Sequence, residues 1–161
     1  VSINVNSNMT HKDIDGFADK TFPLCMQILH KNLSNNSHLK HFGRLQYGLF
    51  LKGIGLSLDE SILFWKNKFK NITHDKFEKE YAYNIRHSYG KEGKRNDYIP
   101  WSCSRIQKLQ TPSQSEYHGC PYQVYSEDKL KSVLFDLKFK ELDVLKILEK
   151  KRNNEYSVTV F

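Results

Sequence analysis

The fifteen residues Tyr81-Ala-Tyr-Asn-Ile-Arg-His-Ser-Tyr-Gly-Lys-Glu-Gly-Lys-Arg95 hold three tyrosines, an asparagine, a histidine, two glycines and four cations. Tyrosine faces stack on bases or sugars, cations neutralise phosphates, and glycines let backbone N–H groups approach a ligand. Such a set suits recognition of nucleic acid. It reads equally as a basic loop beside core aromatics, and both readings stand at this point. The carboxylates offer no catalytic set. Asp59, Glu60, Glu78 and Glu80 fall on amphipathic helix faces, where solvation accounts for them without a two-metal pair.

Cys25, Cys103 and Cys120 are separated by 77 and then 16 residues, a spacing that matches no zinc ribbon or finger. A buried lone cysteine is usually a small hydrophobe, which fits Cys25. Trp101-Ser-Cys103 and His118-Gly-Cys120-Pro121 differ, because they lie in a segment with no apolar period of its own. Thiolate ligation followed by proline recurs in iron–sulfur sites. A cluster held from such distant positions would tie an early helix to the irregular segment, as any long-range cross-link does.

The elements that must position these residues read as mainly α, with little alternation long enough for a sheet. Pro23 opens a helix through about Ser34, with Cys25, Ile28, Leu29 and Leu33 on its apolar face and His30 off it. A second helix is expected from about Ser37 through Lys52, with Gly53 as its stop. Ser57-Leu-Asp-Glu60 forms a capping box before a structural helix carrying Phe64 and Trp65. Thr73 or Asp75 caps the next, which runs through Tyr83 or beyond and so places Tyr81 and Tyr83 near its C-terminal end. Residues 96–125 read as loop-rich, with one helix over 102–109. Ser126 caps a helix through Leu137, and Phe139, Leu142, Leu145 and Leu148 form the apolar stripe of the last.

At 161 residues, 39% hydrophobic and 13% aromatic, the chain is long enough for one domain with a real core, residues 1–19 being peripheral. Twenty-five Lys and Arg against 18 Asp and Glu give +7 and a pI near 9.2, which favours a polyanionic partner such as nucleic acid over an anionic membrane surface. No apolar run approaches the roughly 18 residues of a membrane span. The opening lacks the blocks of a signal peptide, and the absence of an initiator Met suggests a piece of a longer chain. Sequons at Asn8, Asn32, Asn35 and Asn71 arise readily by chance in an Asn-rich sequence.

Phe22-Pro-Leu-Cys25, the run His38-Leu-Lys-His-Phe-Gly-Arg-Leu-Gln-Tyr-Gly-Leu-Phe-Leu-Lys-Gly-Ile-Gly-Leu56, Tyr81-Ala-Tyr-Asn-Ile-Arg-His87, Gly90-Lys-Glu-Gly-Lys-Arg95 and Pro112-Ser-Gln through Tyr117-His-Gly-Cys-Pro121 occur in that order. Together they resemble the C-terminal iron–sulfur domain of the large subunit of eukaryotic-type DNA primase, over about residues 20–160. The Asn-rich composition looks fungal. The resemblance implies an irregular multi-helix domain organised around a [4Fe–4S] cluster, with Cys25, Cys103 and Cys120 as three of four ligands. The family's fourth cysteine falls after a stretch corresponding to Tyr156-Ser-Val-Thr-Val-Phe161, which looks shortened here.

The resemblance further implies a nuclear accessory domain of the polymerase alpha–primase complex, or primosome, with nucleotidyl transfer in the primase small subunit. Its expected partners are template DNA, the initiating nucleotide, the RNA primer, that small subunit and DNA polymerase alpha, with no membrane. His38, Lys40, His41 and Arg44, at the start of a helix, form the expected receptor for a 5′-triphosphate, Arg44 making the bidentate contact. Tyr47 could stack beside them and Lys52 could assist. Tyr81, Tyr83 and Asn84 could hold a ribose or base, with Arg86, His87, Lys91, Lys94 and Arg95 neutralising the backbone. The alternative is a protein-interaction module with a purely structural metal.

Overall fold

The structure, a computed structural model, describes residues 9–155. A 3-10 turn, His11–Asp13, leads into α1 (Ile14–Thr21), followed by α2 (Leu24–Asn36), α3 (His41–Gly53) and α4 (Leu58–Lys68). Next, α5 (His74–Lys76) continues through a π-helical turn, Phe77–Ala82, into α6 (Tyr83–Ser88). Two short helices, α7 (Cys103–Gln107) and α8 (Pro121–Val124), interrupt the irregular segment, and α9 (Glu127–Asp136) and α10 (Glu141–Arg152) complete the described chain. The mainly α, multi-helix reading therefore holds, and no strand occurs among the described residues.

Local sequence fixes four of the helix starts. The hydroxyls of Ser57, Thr73, Ser102 and Ser126 each accept an N–H from three residues on, which removes one orphan donor per helix. The box at Ser57 is only half formed. The Glu60 carboxylate turns to the His11 backbone N–H at 2.7 Å and to His11 Nδ1 at 2.6 Å, which fastens the N-terminal turn to α4.

Two apolar clusters meet on α2. Met26, Leu29 and Leu33 join the larger core with Tyr47, Leu51, Phe64, Trp65, Phe69 and Phe77. Leu24 and Ile28 face the smaller one with Leu130, Leu134, Val144, Ile147 and Leu148. Full burial of a side chain such as Phe64 stabilises the fold by about 2–3 kcal/mol.

Five expectations need correction. The segment expected at the periphery supplies Ile14 and Ala18, both essentially buried, to the larger core. His30 is buried rather than off the apolar face: its Nε2 pairs with Asp15 at 2.9 Å and its Nδ1 lies 2.6 Å from the Tyr47 hydroxyl. Ser37 takes left-handed φ 54° and ends α2, so α3 starts only at His41, with Lys40 as its N-cap. Tyr81 and Tyr83 lie within the continuous α5–α6 run, because a wide π turn carries it on to Ser88. The last helix buries Val144, Ile147 and Leu148 at i, i+3, i+4, leaving Leu142 and Leu145 65% and 55% exposed.

Candidate nucleic-acid interface

A pocket of about 360 Å³ opens where α3, α4, α6 and the irregular segment before α7 converge. Its lining includes His41, Arg44, Trp65, Phe69, Tyr81, Tyr83, Asn84, His87, Tyr89, Tyr98, Trp101 and Arg105. This size and aromatic character suit a nucleotide-sized ligand. From the π turn and α6, Tyr81, Asn84, Ile85 and Ser88 reach it at i, i+3, i+4, i+7, one helix face. Tyr83 and His87 flank that face with ring centroids 6.2 Å apart.

The Arg44 guanidinium stands 4.9 Å over the Tyr81 ring, and its Nη1 donates to the Leu39 carbonyl at 2.8 Å. Both contacts fix the fork in place while part of it stays at the pocket. Burial lowers the Arg44 pKa and the Tyr81 and Glu80 charges oppose that; guanidinium remains a cation at any ordinary pH. His38 does not line the pocket. Its Nε2 lies 3.2 Å from the Tyr81 hydroxyl and its ring 5.1 Å from Phe69. Burial, then Arg44, lowers its pKa, so it acts as a neutral brace behind Tyr81.

Other sequence-derived positions divide clearly. Lys40 is exposed and donates to Ser115 Oγ at 2.6 Å. Tyr47 does not line the pocket: it is fully buried in the core, its ring packed against Phe22, Phe64 and Trp65. Arg86 is taken by Glu92 at 3.2 Å and Glu78 at 3.9 Å. Lys52 is engaged by Asp97 and by the Tyr98 carbonyl, the latter at 2.6 Å.

The glycine turn also differs from expectation. Gly90, at φ 75°, donates to the His87 carbonyl, and Lys91 donates to the Arg86 carbonyl. This is a Schellman cap, so these two N–H groups close α6 and are not offered to a ligand. Lys91, Lys94 and Arg95 remain exposed on the turn. A side chain at Gly93 would meet the His87 ring at 3.2 Å, which places the turn at that edge of the pocket.

Sequence reasoning missed Tyr98, Trp101 and Arg105. Tyr98 stacks on His87 with centroids 5.2 Å apart, and the Arg105 guanidinium lies 4.9 Å over Trp101. Their only sequence signal is an aromatic–cation pair, Trp101 and Arg105, across the Cys103 motif. Tyr98 lies in a stretch without periodicity.

The cysteines come from α2, α7 and the start of α8. Burial, then the Cys103 and Cys120 thiols, pushes the Cys25 thiol up to about 12. Burial, then Cys120, Cys25 and Cys103, pushes the Tyr122 hydroxyl to about 12. Cys120 belongs to the larger apolar cluster, with Cys25 and Tyr122 packed against it, and Cys103 is exposed. Among the described residues no three Cys, His, Asp or Glu side chains are close enough to hold a single ion. Three thiols are the donor type that iron–sulfur clusters take. The stretch expected to carry the fourth ligand, residues 156–161, lies outside the described residues.

A sequence profile for the C-terminal domain of the large subunit of eukaryotic and archaeal DNA primase matches residues 15–160. The chain is 46% identical over 156 residues to the probable DNA primase large subunit of Arabidopsis thaliana, covering 96% of this chain and 34% of that protein. It is 48% identical over 147 residues to the DNA primase large subunit of Mus musculus, covering 90% and 29%. With that of Saccharomyces cerevisiae it shares 41% over 140 residues, covering 85% and 26%. The chain thus spans about a third or less of the length of these relatives. Plant and mouse proteins match at least as closely as this yeast, so identity does not single out a fungal source. On this profile and these identities, the chain belongs to the family of the C-terminal domain of the eukaryotic and archaeal DNA primase large subunit.

Proposed function

We propose that this domain binds the junction of template DNA and RNA primer, with the primer's 5′-triphosphate at the pocket edge formed by α3. The observation that carries this reading is the convergence of His41 and Arg44 with Tyr81, Tyr83, Asn84 and His87 on one pocket. These residues come from sequence blocks about forty residues apart and bring cations and stacking faces together. At the start of α3 the N-cap, Lys40, offers no side-chain acceptor to the first-turn N–H groups. Their partial positive charge, with Lys40, His41 and Arg44, favours a polyphosphate. Lys91, Lys94 and Arg95 would neutralise backbone beyond the His87 edge.

In this reading the domain is an accessory part of a nuclear polymerase alpha–primase assembly, and nucleotidyl transfer belongs to the primase small subunit. Cys25, Cys103 and Cys120 would hold a [4Fe–4S] cluster, which supplies a rigid cross-link and a one-electron redox centre when bound. Protein purified without oxygen should then carry iron and acid-labile sulfide, and folded protein with neither would remove the cluster from the account.

The function is tested with Arg44→Ala. Loss of a charge-assisted phosphate contact should weaken binding to a 5′-triphosphate primer–template by about tenfold or more, and binding to a 5′-hydroxyl one far less. Equal losses on both would sink the triphosphate assignment. A protein-interaction module with a structural metal would instead bind its partner with little dependence on salt.

A further inference from the structure

Lys52 looks, by type and position, like one more phosphate contact, yet the structure gives it another occupation. Its side chain keeps only 15% of its exposure. The ammonium reaches the Asp97 carboxylate and the Tyr98 carbonyl and lies 5.5 Å from the centre of the Tyr89 ring. Asp97, by contrast, is 80% exposed, and Lys52 is its one ion-pair partner among the described residues. Residues 97–101 form a strap without regular secondary structure between the α6 cap and α7. One end carries Tyr98, stacked on His87, and the other Trp101, under Arg105. Both rings line the pocket.

The next residue of α3 holds the same strap by shape. A methyl group at Gly53 would fall 2.3 Å from Pro100 Cγ, well inside contact distance of a rigid ring. The end of α3 thus grips the strap twice, by charge at Lys52 and by close approach at Gly53. An irregular segment with few other ties opens easily, and a wall built on it needs such fixing to present its rings in one geometry.

We propose that Lys52, Asp97 and Gly53 are positioning residues: they latch the 97–101 strap onto the end of α3, and so hold Tyr98 and Trp101 as the stacking wall for an unpaired nucleotide. This rests on the nucleic-acid reading of the pocket and extends it to a wall and a latch. Lys52 then acts on the ligand through Asp97 and the Tyr98 carbonyl rather than by touching phosphate.

The two roles of Lys52 give opposite signs at Asp97. If Lys52 contacts phosphate, Asp97 competes with the ligand, and Asp97→Ala should leave affinity for a polyanion unchanged or raise it. If Lys52 is a latch, Asp97→Ala should weaken binding although it removes a negative charge. The test measures primer–template affinity across a salt series for the whole chain and for Asp97→Ala, Lys52→Met, their double variant and Gly53→Ala, with helix content checked by circular dichroism.

The latch predicts a loss of about tenfold for each single charge variant and little further loss in the double, the mark of residues sharing one interaction. It predicts an unchanged salt slope for Lys52→Met, whereas loss of one phosphate contact lowers the slope by about 0.9. Gly53→Ala, which alters no charge, should weaken binding as well. Tighter or unaltered binding by Asp97→Ala, or a salt slope reduced by one contact in Lys52→Met, overturns the latch. Failure of the unaltered chain to bind primer–template overturns the nucleic-acid reading and the latch with it. Should Asp97→Ala misfold, Asp97→Asn and Gly53→Ala carry the same comparison.

Discussion

Arg44 and Tyr47 lie three residues apart on α3, one at the pocket and the other in the core, and their neighbours account for both fates. Tyr47 packs edge-on to Trp65 at 6.0 Å, and its hydroxyl is 2.6 Å from His30 Nδ1. With Asp15 at Nε2, the neutral tautomer donates there and accepts the Tyr47 O–H, leaving no buried polar atom of this trio unpaired. Tyr47→Phe strands the His30 acceptor. It should cost about 1–3 kcal/mol in chemical denaturation while leaving primer–template affinity unchanged. A loss of affinity at full stability would return Tyr47 to the interface.

At the scale of elements, the same network ties α1, α2 and α4 through Asp15, His30 and Lys68, the lysine donating to Asp15 at 2.6 Å. Burial, then Lys68, holds the His30 pKa below its ordinary 6.5, and Asp15 pulls the other way with less effect. The unfolded chain therefore takes up a proton below about pH 6.5 that the folded chain refuses, and stability should fall on acidification from there. Burial disfavours the Asp15 charge, but Lys68 and His30 outweigh it and hold the carboxyl below 3.8, so a further loss follows as pH falls through that range. Melting temperatures across pH 4.5–7.5 check the first part, roughly the titration window of histidine; a Tm flat or rising toward acid contradicts it.

Helix starts were legible because serine and threonine caps are local chemistry. The start of α3 was not, since Ser37 in the left-handed region has no strong sequence mark. Nor was the π turn, which is set by packing of Phe77 and Ala82 into the core rather than by propensity. The final helix was misread by phase: Leu142 and Leu145 keep a plausible period, but contact with α9 selects Val144, Ile147 and Leu148.

For the whole molecule, the motif blocks identified the α3 and α6 sides of the pocket, and tertiary folding supplied the rest. Tyr98 and Trp101 become pocket residues only when the strap is latched back onto α3, a long-range event that no local pattern encodes. Arg105 lines the pocket from α7, the helix that Cys103 opens, so one cysteine of the candidate cluster and one pocket residue share an element.

The chain has two tryptophans, Trp65 and Trp101, and both line this pocket. The most direct measurement is therefore intrinsic fluorescence during titration with a 5′-triphosphate primer–template, beside affinity measured independently on the same protein. A ligand stacking in the pocket should quench the emission with the same dissociation constant, and Trp101→Phe should remove a large part of the change. Tight binding with tryptophan emission unmoved would place the nucleic acid elsewhere and contradict the account.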